Sequence, residues 1–298
     1  MRIIRNVFLA CWAAAASVAP AAEVWAPGVS QSGGWYDNNK SEANQAYGKV
    51  EGMCWAASAS NVISWWYSHN ADAVTTSAPA DPWLVYQMTY ADVGGYPSTA
   101  YEWWINGITP TWVEERLDET TNQWVQGYYK YPDYIDLTYE EKDKGDGGVV
   151  SAWYEGGFLK NDYLTSSSPI IVQNGNSDSY AFARKMVDAL AGGYALTLST
   201  SGSANHAWTL WGVDYSETEK GVVIEGVWIT DSDDAKDALV YYDVAFKETA
   251  ISMVNNLNQS FEINTLAGMR TTRVIPEPAT ATLGLLALAG LAARRRRK

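Results

Sequence analysis

Cysteine and histidine are scarce in this chain, with two of each among 298 residues. So few cysteines cannot build a disulfide scaffold, and one cysteine with two distant histidines offers no usual zinc ligand set. Basic residues are short too: 21 Lys and Arg stand against 34 Asp and Glu, a formal net charge of −13. Such a surface repels nucleic acid and anionic lipid, which argues against nucleic acid as a partner. No repeat of fixed period and no long linker divides the interior of the sequence. What remains is abundant acid, many large aromatics, and chemistry concentrated on few residues.

The two ends differ from the rest. Residues 1–22 carry Arg2 and Arg5, then an apolar run, then the small-residue pattern Ala19-Pro20-Ala21, which predicts a secretory signal peptide. At the other end Pro276-Glu277-Pro278 precedes an almost wholly apolar stretch, 279–293, and the basic cluster Arg294-Arg295-Arg296-Arg297-Lys298. A helix of about fifteen residues spans only about 22 Å, short of the hydrocarbon core. This three-part order resembles the PEP-CTERM sorting signal of Gram-negative bacteria. The resemblance implies recognition by an exosortase-type membrane enzyme, with transient or anchored membrane association through 279–293. Export to the cell surface or beyond is therefore expected. Removing both ends takes away seven basic residues and one acidic residue, so the domain between them, 23–275, is still more negative. It keeps a single cysteine, Cys54, and an unpaired cysteine in an exported protein suggests a functional thiol.

The surroundings of Cys54 describe a nucleophile. Gly52-Met53 makes a turn, and Cys54-Trp55-Ala56-Ala57-Ser58-Ala59-Ser60-Asn61 opens a small-residue helix predicted over 54–69. At a helix N-terminus, unpaired backbone N–H groups and the dipole favour the thiolate. A second helix is predicted over 179–190, capped by Asp178 or Ser179. It buries Phe182, Met186, Val187 and Leu190 and stops at Gly192-Gly193. The period then changes to two, and 194–200, 207–215, 222–230 and 239–245 read as antiparallel strands with a hairpin near 216–221. Residues 23–40 read as an extended arm, 79–139 as short helices and loops, and 142–148 as a surface loop. Helices first and strands later make an α+β pattern, with the Cys54 helix packed on a C-terminal antiparallel sheet.

Of the two histidines, His69 ends the first helix, where its charge complements the dipole. His206 instead sits where a loop enters the apolar strand Ala207-Trp208-Thr209-Leu210-Trp211. The next strand ends in Asp231-Ser232-Asp233-Asp234. If the two strands pair, Asp231 or Asp233 can accept the imidazole N–H. Cysteine, then histidine, then carboxylate is the order of a papain-like thiol protease. The glutamine that such enzymes place six residues before the cysteine is missing; Gly48 stands there.

What precedes instead is Gly34-Trp35-Tyr36-Asp37-Asn38-Asn39-Lys40. Together with Met53-Cys54-Trp55-Ala56-Ala57-Ser58-Ala59-Ser60-Asn61, Asn205-His206, Leu210-Trp211-Gly212-Val213-Asp214 and Ile229-Thr230-Asp231-Ser232-Asp233, it resembles the IdeS/Mac family. These are bacterial papain-like cysteine endopeptidases known for cleaving immunoglobulin G. The resemblance implies Cys54 as nucleophile, His206 as general base and acid, Asp231 as the carboxylate orienting the imidazole, and Asp233 as a second one nearby. It implies Lys40 as the oxyanion-stabilising lysine. The stretch between Lys40 and Cys54 runs longer than in the streptococcal members. No cofactor is implied, and the partner is a protein or peptide substrate.

Other readings compete. Asp231, Asp233, Asp234 and Asp237 do not make an EF-hand, because Lys236 takes the glycine position and Tyr242 the glutamate position. A thiol acyl-enzyme also serves transamidases and isopeptidases on the same fold. Trp65-Trp66 and Trp103-Trp104 could form an exposed aromatic platform for binding without catalysis.

Overall fold

Alternating apolar and polar residues after position 193 produce a sheet that bends back on itself. The computed structural model describes residues 21–40, 50–71, 78–90, 95–107, 156–158, 170–175 and 178–271, with the backbone of four short strands between 111 and 130. The expectations for residues 1–20, the 142–148 loop and 276–298 lie outside the described residues.

Helix α1 (Cys54–His69) matches its predicted bounds. Ala56, Ala57 and Ala59 are fully buried, so α1 can lie close against the sheet. Helices α2 (Pro82–Tyr90) and α3 (Pro97–Asn106) pack beside it. Trp65 and Trp66 are buried, and their ring N–H groups donate to Pro27 O at 2.9 Å and Arg270 O at 2.8 Å. Trp103 and Trp104 are buried against Tyr86 and Phe158. The expectation of an exposed aromatic platform from these two pairs is therefore overturned. Their area goes into the core, where large aromatics contribute most.

Strand β1 (Ala22–Trp25) comes from the arm expected to be merely extended. Two short hairpin-like pairings follow, β2 (Thr111–Val113) with β5 (Tyr128–Lys130), and β3 (Arg116–Asp118) with β4 (Gln123–Val125). Next come β6 (Ile170–Asn174) and helix α4 (Ser179–Ala191). The Asp178 carboxylate caps α4 by accepting from the N–H groups of Tyr180 and Ala181 at 3.0 and 3.1 Å.

The remaining strands are β7 (Tyr194–Gly202), β8 (His206–Thr218), β9 (Gly221–Thr230), β10 (Val240–Lys247), β11 (Ala250–Val254) and β12 (Ser260–Arg270). All pair antiparallel, in the order β8-β7-β12-β11-β10-β9, and β9 also pairs with β8. The path therefore closes into a ring, each of its six strands pairing with two others of the six. Outside the ring, β1 extends the edge of β8 and β6 that of β12. At Gly212, beside a register shift in β8, a Cβ would lie 2.6 Å from the Trp25 ring. Glycine there lets β1 close over the sheet.

The fold is thus helical first and antiparallel sheet second. Helix α1 contacts β7, β8 and β12 directly. That packing brings the start of α1 beside the start of β8.

Candidate active site

Cys54 is the first residue of α1 and is half-buried. The turn before it is closed by Met53 N donating to Val50 O at 3.0 Å. His206 is the first residue of β8, buried, with its ring edge-on to Trp208 at 4.5 Å between centroids. Asp231 directly follows β9. Thr209 pairs with Thr230 at the end of β9, so the residues that follow, Asp231 and Asp233, come alongside His206.

These side chains meet. His206 Nε2 lies 2.9 Å from Asp231 Oδ1, which also accepts the Asp233 backbone N–H at 3.0 Å. The Cys54 thiol adjoins the His206 ring and the Ala207 N–H, and both favour its ionised form. Asp233 Oδ2 stands 3.5 Å from His206 Nδ1, and its other oxygen accepts from Lys40 Nζ at 2.6 Å. The Lys40 ammonium also donates to Glu51 O at 2.7 Å, and its side chain is only 8% exposed. All five residues singled out in the sequence thus lie in one cluster. His69 does not; its Nδ1 bonds Trp65 O one turn back in α1, at 2.7 Å.

Electrostatics couple the thiol and the ring. Burial raises the Cys54 pKa, but the hydrogen bond and charge of His206, the Ala207 N–H and the Lys40 charge outweigh it. The thiol therefore ionises below its usual range. Burial likewise opposes charge on His206, yet bonds and charges from Asp231 and Cys54 push its pKa up to about 9. Each group thus favours the charged form of the other.

Several supporting residues escaped sequence reasoning. Residues 36–40 form a strap between α1 and the loop after β9. Tyr36 O accepts from Thr230 Oγ1 at 3.0 Å, Asp37 Oδ2 from Ala238 N at 3.1 Å, and Ser232 O from Lys40 N at 2.8 Å. Asn39 Nδ2 donates to Lys236 O at 2.9 Å. On the other side, Asn38 N donates to Asn61 Oδ1 at 2.7 Å, and Asn38 Nδ2 to Ser60 Oγ at 3.1 Å. The buried Asn61 amide also donates to Thr209 Oγ1 at 2.9 Å and Thr230 Oγ1 at 3.5 Å. One side chain on α1 thus ties together the strap carrying Lys40, the strand carrying His206 and the strand leading to Asp231. The signal for this was the run of small polar residues inside a helix that is otherwise apolar.

A thiol with lowered pKa beside an imidazole, with a carboxylate behind the ring and a lysine nearby, is a residue set suited to attack on an acyl carbon. Comparison with known proteins agrees with that chemistry. Residues 23–94 match the Mac 1 family model, a segment that contains the strap, Lys40 and Cys54. Residues 274–298 match the PEP-CTERM protein-sorting motif, which marks proteins for export in Gram-negative bacteria. Among curated proteins the chain is similar to an IgM protease of Streptococcus suis (strain P1/7), 26% identical over 221 residues. That alignment covers 69% of this chain and 18% of the streptococcal protein, so the chain spans a minor part of that relative's length. The resemblance to the IdeS/Mac family and to the sorting motif therefore holds. Among the described residues no helix is long and apolar enough to cross a membrane.

Proposed function

We propose that this protein is an exported cysteine endopeptidase with a papain-like arrangement, its peptidase domain spanning residues 23–275. The observation that carries the reading is that the Cys54 thiol adjoins a His206 ring whose Nε2 is held by Asp231 at 2.9 Å. In this mechanism the Cys54 thiolate attacks a peptide carbonyl, and the carbonyl π electrons move onto oxygen. Lys40 and the Cys54 backbone N–H stabilise that oxyanion in a water-poor cleft. The His206 imidazolium gives its Nδ1 proton to the leaving amine, and the C–N bond breaks to leave a thioester. Water then attacks the thioester as Nδ1 takes its proton. The acid leaves and the thiolate–imidazolium pair returns. Asp231 holds the ring's other nitrogen throughout, fixing its orientation.

The substrate is a protein, as the name of the streptococcal relative suggests for that protein. The sorting segment hands the chain to exosortase-type machinery, with the apolar stretch 279–293 associating with the membrane. The decisive measurement is cleavage of protein mixtures by the domain 23–275, mapped by mass spectrometry beside its Cys54→Ala variant. Neo-termini should appear only with the unmodified enzyme. Equal cleavage by both would remove Cys54 from the chemistry. Incorporation of an added amine in place of water would redirect the reading to a transamidase.

A further inference from the structure

One face of the sheet carries an aromatic row that the peptidase chemistry does not use. Trp25 of β1, Trp228 of β9 and Tyr241 of β10 stand in line across the strands. Gly212 pairs with both Trp25 and Trp228, and Trp228 pairs with Tyr241. Ring centroids are 5.5 Å apart from Trp25 to Trp228 and 4.8 Å from Trp228 to Tyr241. All three rings are half-buried, so each keeps part of its surface open to solvent. Glycines lie beneath them: a Cβ at Gly212 would meet the Trp25 ring at 2.6 Å, and one at Gly226 would meet the Tyr241 hydroxyl.

Two residues further along each strand, on the same face, the row is acidic. Glu23 pairs with Asp214, and Gly226 pairs with both Asp214 and Asp243. Trp25 Nε1 donates to Glu23 Oε2 at 3.1 Å and Trp228 Nε1 to Asp214 Oδ1 at 3.4 Å, so these acids stand at the ring edges. Glu23 and Asp243 are exposed and Asp214 is half-buried. Among the described residues none of the three takes part in an ion pair. Burial raises the Asp214 pKa, and the negative charges of Glu23 and Glu225 add to that rise. An apolar occupant would desolvate these carboxylates without pairing them, and an anion would be repelled. A guanidinium or ammonium suits both rows, lying over a ring face and bonding the carboxylate at its edge.

We propose that this face is an exosite for a basic, arginine- or lysine-containing segment of the protein substrate, held by Trp25, Trp228, Tyr241, Glu23, Asp214 and Asp243. Calling the partner a substrate rests on the peptidase reading, whereas the binding itself does not. The row crosses from β1 through β8 and β9 to β10, about 14 Å, a distance that about four extended residues span. Along β9, Trp228 lies about 10 Å of strand from Asp231. Thr230, next on the same face, donates to Tyr36 O of the strap at 3.0 Å. A segment held on the row therefore borders the strap that carries Lys40.

The test uses the domain 23–275 as its Cys54→Ala variant, so that nothing is cleaved, and the fluorescence anisotropy of a labelled hexapeptide of alternating arginine and glycine. A second probe replaces each arginine by citrulline, its neutral isostere. The arginine peptide should bind at least tenfold more tightly at low salt, and the difference should shrink as salt rises. Trp228→Leu and Tyr241→Leu should each weaken it at least fivefold. Asp243→Asn, at an exposed position that the fold tolerates, should weaken it at least threefold. The double variant Asp234→Asn, Asp237→Asn, on the loop after β9, should bind as before. Equal binding of the two peptides, or unchanged affinity in Asp243→Asn, overturns the exosite. Loss of binding only in the Asp234, Asp237 variant overturns it too, because the peptide then sits at the loop. Binding of a neutral oligosaccharide that Trp228→Leu abolishes, with no preference for arginine over citrulline, replaces the basic segment by a glycan. In the active enzyme an arginine tract appended to a cleaved protein should lower KM severalfold with kcat little changed, and an unchanged KM overturns the substrate assignment. Arginine-dependent binding on this face without any proteolysis upholds the surface and removes the peptidase reading.

Discussion

His206 and Asp231 are joined through Nε2 and Oδ1 at 2.9 Å, and the Asp233 backbone N–H donates to the same carboxylate oxygen at 3.0 Å. The carboxylate is therefore held by its own loop before it holds the ring. Two links follow from that order: the loop fixes the carboxylate, and the carboxylate fixes which face of the imidazole meets the thiol.

Replacing Asp231 by Asn keeps the size and removes the charge. The His206 pKa should fall from its raised value, because the Asp231 bond and charge help to lift it. Turnover should drop roughly 10²–10⁴-fold while KM changes little, the range expected when acid–base chemistry is impaired. Steady-state kinetics and an NMR titration of the ring read both effects. A normal kcat in Asp231→Asn would mean that the ring is oriented by something else.

Alkylation probes the thiol directly. Iodoacetamide should modify Cys54 with a midpoint below pH 9.0, the ordinary thiol value, because the thiol is lowered. As pH rises through about 9, His206 loses its proton, so the hydrolytic rate, which needs the imidazolium, should decline. His206→Ala should move the alkylation midpoint upward. If the midpoint stays put in that variant, the thiol and ring are not coupled.

The helix at Cys54 and the helix opening at Ser179 were legible because composition, caps and periodicity agree locally. Strands β7 to β10 were legible from alternation, within a few residues at their ends. Strands β1, β6, β11 and β12 were not, since each is defined by a partner far away in sequence. Residues 22–25 become a strand only against 212–215 of β8. Ser260–Arg270, with small residues in its centre, carries a weak period of its own. Ring closure through β8 and β9 is likewise a property of pairing. The site divides the same way. Cys54, His206 and a carboxylate at 231 or 233 were named from motif order and Lys40 from the family resemblance, but the contacts of Asn61 and Asp37 are ones that no short window shows.

Asn61 offers a test of that hidden layer. Asn61→Leu removes the acceptor for Asn38 N and one bond to Thr209, whose hydroxyl keeps Ser58 O at 3.3 Å. An orphaned group costs about 1–3 kcal/mol, and a loss of roughly that size in urea unfolding is expected. Because strap, β8 and β9 all bear on this amide, kcat should fall further than KM rises. A variant destabilised to this extent but fully active per folded molecule would reduce Asn61 to a packing residue.

Asp37 makes the last prediction, on pH and stability. Its carboxyl is pushed up to about 8, first by burial and then by the charges of Asp234, Asp237 and Asp231, against the Ala238 N–H that favours ionisation. Unfolded, it ionises near 3.8. Between about pH 4 and pH 8 the folded chain therefore keeps a proton that the unfolded chain has lost. Stability from this group must then fall as pH rises across that window and level off above it. Asp37→Asn removes the titration while keeping an oxygen for Ala238 N. The variant should gain on the unmodified protein by at least about 5 °C in Tm between pH 4 and pH 8. A Tm difference that is flat across the window would show that Asp37 ionises as freely in the folded chain as in the unfolded one. The strap would then hold the loop that carries Asp231 without any charge strain.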